Sequence, residues 1–427
     1  MSRGASVGSL RKIAAASLVG TTLEYYDFAV YNSLAALIFN RIFFPSFDPM
    51  MGTILAFATF AVGYLARPLG GVIFGRLGDR RGRRYVLVVT LMLMGVTTAL
   101  MGLLPSYESA GVISPVLLIL LRFVQGIALG GEWAGAVLLA IEHGAAQHRG
   151  RNGSFAQMGP SLGTLLATGC IALITLSIPG DAFLSWGWRI PFLASIVLIG
   201  FGLWLRVGVG ETPLFEQLQA RAAVASAPIR EVLRHHWRRL LIAGGVRIGA
   251  DVLYSLLVVF TLTYLVTGLH QPRSLALIAV SVGAAVNVLS VPLFGALSDR
   301  YGRRPIYAGG ILLAIAWVAG YFSLLAFRDP LLVLLAVSSG FLIHAAMYGP
   351  QAAFIAEQFP TRVRYAGSSL AYTLVGIVGG GLAPVTFAAL LRIYGSPTPI
   401  SLYVAAALAL SGLALLAARE TSRLPLE

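Results

Sequence analysis

Gly75–Arg84 reads GRLGDRRGRR, and 220 positions downstream Gly295–Arg304 reads GALSDRYGRR. Gly, Leu, Asp, Arg, Gly, Arg and Arg match in register, and each copy lies between two long apolar stretches. A duplication at half-chain scale, read as a loop in each copy, implies two homologous halves. It also places both copies on one side of a membrane. Repeats of this size are a construction principle of transporters.

Composition agrees. Of 427 residues, 57% are hydrophobic and only 11% charged, whereas soluble domains run at about a quarter charged. The formal charge of +14 sits in short connectors between apolar runs. It is therefore not the basic soluble face that nucleic-acid binding needs. Cys170 is the sole cysteine, which excludes an internal disulfide and a thiolate metal site. The first apolar run, Ile13–Phe39, is too long for a cleaved signal segment and contains Glu24 and Asp27; it reads as a retained span.

A span needs about 20 mostly apolar residues. Twelve segments qualify, at roughly 14–39, 51–75, 85–104, 114–140, 152–178, 188–207, 239–267, 274–297, 305–326, 331–354, 364–391 and 398–418. The expected fold is an all-α membrane protein of twelve transmembrane helices in two six-helix, pseudo-symmetric halves. Residues 1–207 form the first half, 208–238 a linker with a short amphipathic helix around Pro228–Arg239, and 239–427 the second half. Arginines crowd alternate connectors: Arg80, Arg81, Arg83 and Arg84, then Arg149 and Arg151, then the linker, then Arg300, Arg303 and Arg304. The other side holds only Arg41, Arg189, Arg273, Arg328 and Arg392. By the positive-inside rule both termini are cytoplasmic. A looser echo pairs Glu142 before Arg149 with Glu357 before Arg362.

Ionisable side chains within spans are costly and mark function by default. Glu24, Asp27 and Tyr31 share one face of the first helix. Asp27 and Glu132 are the proton-coupling candidates, with a structural acid as the alternative for Asp27; Glu24 reads as structural. On span four, Arg122, Gln125 and Glu132 fall within one arc of the helix. A planar guanidinium suits a carboxylate, so Arg122 binds substrate, tunes Asp27, or forms a static ion pair. Gly126 and Gly130 read as a close-packing face. Shifted by the repeat offset, Asp27 falls on Arg247. Arg247 therefore either faces an organic anion across a central cavity, with Tyr254 on the same face, or pairs with Asp251 one turn on. Gln157, Ser161, Thr164 and Thr168 form a polar stripe on span five. His344, Tyr348 and Gln351 form another on span ten, and Asn287 stands alone on span eight. Such stripes line a cavity or bond between helices. Tyr31, Arg122, Gln125, Gln157, Arg247, Tyr254, Tyr348 and Gln351 make up the candidate substrate set.

GxLxDxxGRR and its echo resemble the signature of the major facilitator superfamily. Gly20–Tyr31 (GTTLEYYDFAVY), Arg67–Gly71 (RPLGG), Arg122–Gly135 (RFVQGIALGGEWAG), Trp186–Phe192 (WGWRIPF) and Glu357–Arg364 (EQFPTRVR) are similar to its metabolite:proton symporter family. The resemblance implies alternating access, a bacterial inner membrane, and substrates among organic acids or zwitterionic osmolytes. It makes the repeated loop a cytoplasmic latch, with Asp79 and Arg83 in the first copy and Asp299 and Arg303 in a weaker second copy. Gly159-Pro160 with Gly163 partly resembles an element of proton antiporters and keeps an exporter as the alternative. No HExxH, Walker loop or partnered GxSxG occurs, so the chain is not expected to be an enzyme or a primary pump. The reading is a monomeric transporter that imports a small organic anion, a carboxylate, with protons. It needs no cofactor beyond the proton gradient, no metal and no nucleic acid.

Overall fold

A computed structural model describes residues 7–81, 83–130, 137, 141, 146–207 and 228–424; side chains 78–84 are among those not described. Twelve long helices carry the chain among these residues. The first half comprises α1 (Val7–Leu37), α2 (Pro49–Arg81), α3 (Arg83–Gly102), α4 (Ile113–Leu129), α5 (Arg149–Ser177) and α6 (Ile190–Val207). The second half comprises α7 (Trp237–Gly268), α8 (Arg273–Tyr301), α9 (Arg303–Ala326), α10 (Pro330–Glu357), α11 (Thr361–Gly376, continuing through Ile377–Leu382 to Tyr394) and α12 (Thr398–Ala417). No strand occurs among the described residues. Helices are forced here, because hydrocarbon offers no partner to an unpaired N–H or C=O.

Eight of these helices are long and apolar enough to cross a membrane on that criterion alone, and Val88–Gly102, Ile113–Leu129 and Gly187–Gly202 add shorter apolar segments. The outer surface is correspondingly apolar: Val197, Leu289 and Leu413 are 74%, 75% and 66% exposed. The polar residues turn inward instead.

Two sequence expectations change. The repeated segment is not a loop: α8 runs through Tyr301, and Gly302, at φ +101°, separates it from α9 at Arg303. One glycine in left-handed backbone makes the break; GALSDRY before it contains no proline and stays helical. The amphipathic helix of the linker is Pro228–His235, and Arg238 and Arg239 belong to α7. The linker before residue 228 lies outside the described residues.

The halves meet along α5 against α8 and α10, α1 against α7, and α2 against α11. Within the first half, α2 and α4 touch backbone to backbone. A Cβ on Gly126 would stand 2.1 Å from the Gly63 carbonyl oxygen, so no larger residue fits without moving a helix. That close approach sets the depth at which Arg122, one turn earlier on α4, enters the bundle.

Candidate functional site

On α1, Asp27, Phe28 and Tyr31 are buried, at 3%, 3% and 0% exposure. Arg122 of α4 is fully buried against them. Its guanidinium carbon lies 3.8 Å from the ring centroid of Tyr31, 4.5 Å from Phe28 and 4.9 Å from Phe60. Nη1 donates to Gln125 Oε1, and Gln125 Nε2 donates to Thr98 Oγ1 at 2.7 Å. Thr98 and Arg122 are the polar neighbours of Asp27. The Tyr31 hydroxyl is bonded to Thr59.

Among the described residues, Arg122 Nε and Nη2 have no hydrogen-bond partner and no carboxylate lies within 4.0 Å of the guanidinium. Desolvating such a cation costs several kcal/mol. Each ring contact returns about 1–2 kcal/mol when dry. The aromatic cage thus offsets part of the cost, and an anion completing the fork with two parallel bonds would supply the rest. Arg67 repeats the theme. It lies 3.8 Å over Tyr64 and 4.9 Å from Phe28, with Nε unpartnered. Phe28 is therefore held between two guanidinium groups.

The second half resolves its charge differently. Arg247 Nη2 stands 2.8 Å from Asp251 Oδ2, and Nε donates to Oδ1 at 3.0 Å. The guanidinium lies 3.4 Å over the Tyr372 ring and donates to the Tyr372 carbonyl. Of the two alternatives for Arg247, the geometry shows the pair with Asp251. Asp27 and Arg247 do not meet. What joins the halves nearby is a hydrogen bond between the hydroxyls of Tyr25 and Tyr372.

The stripe on α5 bonds across the halves at every rung. Gln157 donates to Gln351 at 3.4 Å and Ser161 to Asn287 at 2.6 Å; Thr164 meets the Tyr254 hydroxyl at 3.1 Å and Thr168 meets Ser281 at 2.8 Å. Asn287 then donates to the Phe341 carbonyl and lies 3.2 Å from His344 Nδ1. Tyr254 stacks with Tyr348 at 6.2 Å and lies 5.1 Å from His344. Tyr25, Phe28, Phe60, Tyr64 and Tyr254 wall a central cavity of about 30 Å³, room for about one water.

At the arginine-rich end the two halves are joined by hydrogen bonds and ion pairs. Asp299 of α8 accepts from the backbone N–H of Gly150 at 2.8 Å and of Arg151 at 2.9 Å. It thereby caps α5 of the other half, whose own N-cap His148 supplies no side-chain bond. Arg303 donates to Asp299 at 2.7 Å and to Glu357 at 3.2 Å, and Glu357 also holds Arg149 and the Thr421 hydroxyl. The opposite end is tied by Asp48 and Arg392 at 3.0 Å.

Glu132 and the side chains of Asp79 and Arg83 lie outside the described residues. Sequence reasoning left Thr98, Tyr25, Tyr64 and Tyr372 out of the site. Tyr25 alone carried a signal, since it stands in the quoted stretch of α1. Gly159 and Gly163 have a packing role: a Cβ on Gly159 would stand 2.6 Å from Thr21 of α1.

The Major Facilitator Superfamily model matches residues 18–384. The chain is 38% identical to the "Shikimate transporter" of Escherichia coli (strain K12), over 98% of this chain and 96% of that one. It is 34% identical to the "Proline/betaine transporter" of Salmonella typhimurium, over 98% of this chain and 85% of that one. The crystal structure of a D-xylose-proton symporter superposes with a TM-score of 0.75 at 20% identity, over 96% of this chain and 98% of that one.

Proposed function

The chain belongs to the Major Facilitator Superfamily, a family of transporters and not of enzymes, and from that premise we propose that it imports a small organic carboxylate together with protons. Arg122 carries the reading: a buried guanidinium with two unpartnered nitrogens, caged by aromatic rings and set beside Asp27. A carboxylate completes its fork, and Asp27 carries the proton. When the anion neutralises Arg122, the guanidinium no longer holds Asp27 ionised, so substrate and proton arrive together. Tyr31 and Gln125 orient the guanidinium, and Glu132 is a second proton site.

Alternating access follows from the interface. The rungs at Gln157, Ser161, Thr164 and Thr168 and the Asp299 cap must break when the latched end opens. Asp79 and Arg83 form the matching latch from the first copy. The arginine-rich end is cytoplasmic, with both termini, the halves are 1–207 and 239–427, and the monomer is the working unit.

Uptake of a carboxylate panel into proteoliposomes tests this. An inward proton gradient should raise accumulation for at least one acid, and Asp27→Asn should abolish gradient-driven accumulation while leaving exchange of internal for external substrate. Equal accumulation with and without the gradient in the unaltered protein removes the coupling. The five aromatic residues around the cavity favour one second reading, a betaine whose ammonium rests on ring faces and whose carboxylate reaches Arg122. Competition by betaine against the best carboxylate separates the two.

A further inference from the structure

Of the five arginines on the side away from the positive loops, Arg328 lines neither cavity described, and each of the other four needs a reason. Arg392 pairs with Asp48 at 3.0 Å, and Arg189 donates to the carbonyls of Gly102, at 2.9 Å, and Leu104. The side chains of Arg41 and Arg273 have no ion-pair or hydrogen-bond partner among the described residues, although Arg273 lies 5.9 Å from the Phe183 ring. Both line a single cavity of about 380 Å³ at this end, close enough for their charges to interact. That volume lies in the range of small-molecule sites, about 300–1,000 Å³.

Arg41 comes from the short helix after α1 and Arg273 from the first turn of α8, so one cation is contributed by each half. His270 completes the polar wall. Its backbone is left-handed, at φ +56°, a conformation that costs a non-glycine residue about 1–2 kcal/mol. The surrounding loop is held by Leu269 N–H to the Tyr264 carbonyl at 2.9 Å and Gln271 N–H to the Leu265 carbonyl at 2.8 Å. Leu37, Pro45, Phe47, Pro49 and Val266 supply apolar wall, and Asn40 and Thr267 line the cavity as well. The acid nearest in the chain, Asp48, is committed to Arg392 and to the Met51 amide at 3.1 Å.

We infer that this cavity is a capture site for organic anions, in which a carboxylate bridges Arg41 of one half and Arg273 of the other before it reaches the central site. Two like charges lining one cavity repel, and a bound anion turns the repulsion into a bridge. The apolar walls select an organic body over a bare inorganic ion. Arg41 and His270 are exposed, so this site is open to solvent while the centre holds room for only a water. The inference deepens the import reading and rests on it for direction.

Thiol chemistry tests the site without any transported substrate. In a Cys170→Ser background, Thr267→Cys places a thiol on the cavity wall. A sulfonate-bearing methanethiosulfonate should modify it severalfold faster than the trimethylammonium reagent of similar size. Arg41→Gln with Arg273→Gln should equalise the two rates, whereas Arg41→Lys with Arg273→Lys should keep the preference. Benzene-1,3,5-tricarboxylate at constant ionic strength should slow modification, and only while the cations are present. Equal rates for the two reagents, a preference that survives the Gln pair, or protection no better than chloride overturns the inference. An anion-selective mouth on a protein that accumulates no carboxylate would instead count against the import reading.

Discussion

Arg122 and Arg247 are both buried guanidinium groups over tyrosine rings, one in each half, yet they are balanced in opposite ways. Arg247 has a carboxylate one turn away on its own helix, 2.8 Å distant. Arg122 has rings, a glutamine and, among the described residues, two donors without a partner. A buried pair complete within one helix moves with its half and needs nothing from outside. A buried cation without its own acid is unfinished, and a ligand or a proton shift can finish it. On the reading proposed above, two halves that share a fold divide the work: one carries a neutralised pair and the other a site whose charge balance depends on occupancy.

The largest effect expected from this comparison is at Arg122. Arg122→Ala should reduce carboxylate affinity by at least about 100-fold, since a buried charge pair loses 3–5 kcal/mol when one partner is removed. Arg122→Lys keeps the charge but not the planar fork and should recover only part of that loss. Ligand-induced shifts in melting temperature measure both, because a ligand that binds only the folded state stabilises it. Unchanged ligand shifts in Arg122→Ala would place the anion elsewhere and undo the contrast.

Arg247 should respond in the opposite currency, stability rather than binding. Arg247→Ala strands the Asp251 carboxylate in the bundle and should destabilise by about 3–5 kcal/mol. The double change Arg247→Met with Asp251→Leu should recover most of it, because apolar replacement of a whole buried pair is often neutral. Carboxylate uptake by the double variant at a substantial fraction of the unaltered rate would sharpen the division. Loss of uptake despite a restored melt would make Arg247 a second anion contact.

Much of this organisation was legible in the chain. The twelve spans follow from hydropathy because lipid leaves the backbone no alternative to a helix. Asp27 and Arg122 stand out because charge within a span is rare. Their unequal pairing was not legible. Arg247 to Asp251 is an i, i+4 spacing that sequence shows as one option, but only packing reveals that Arg122 Nε and Nη2 face no acid among the described residues. The roles of Tyr25, Tyr64 and Tyr372 were hidden because a tyrosine in a span looks like core until its hydroxyl is seen to cross between halves. The α5 stripe announced itself by period, but its partners Asn287, Tyr254 and Ser281 lie 126, 90 and 113 residues away, beyond any periodicity.

The same contrast, self-contained against shared, recurs at the latched end with smaller effects. Asp299 caps a helix of the other half with both carboxylate oxygens, so Asp299→Asn, which turns one acceptor into a donor, should cost the latch about 1 kcal/mol, the net value of one hydrogen bond. It should also raise cysteine reactivity at the arginine-rich end of α5, measured with Ser154→Cys in the Cys170→Ser background. Glu420 is the counterpart within one half. It accepts from the N–H groups of Arg303 at 3.0 Å, Arg304 at 2.9 Å and Ser422 at 3.1 Å. Burial alone would push its carboxyl up, but the backbone donors outweigh burial and hold it below its ordinary value. A carboxyl depressed on folding stabilises the folded state above its unfolded value, about 4.3 for glutamate, and that stability is lost as pH falls through the folded value. Melting temperature should therefore fall on acidification more steeply in the unaltered protein than in Glu420→Gln. Because the group is partly solvated, the difference should be the smallest of those expected here. Asp299→Asn, by contrast, should change thiol reactivity at neutral pH, where Glu420→Gln leaves it unchanged. If both variants open the latch equally, the cap across the halves has no special part in closing it, and the C-terminal segment that carries Glu420 must share the role.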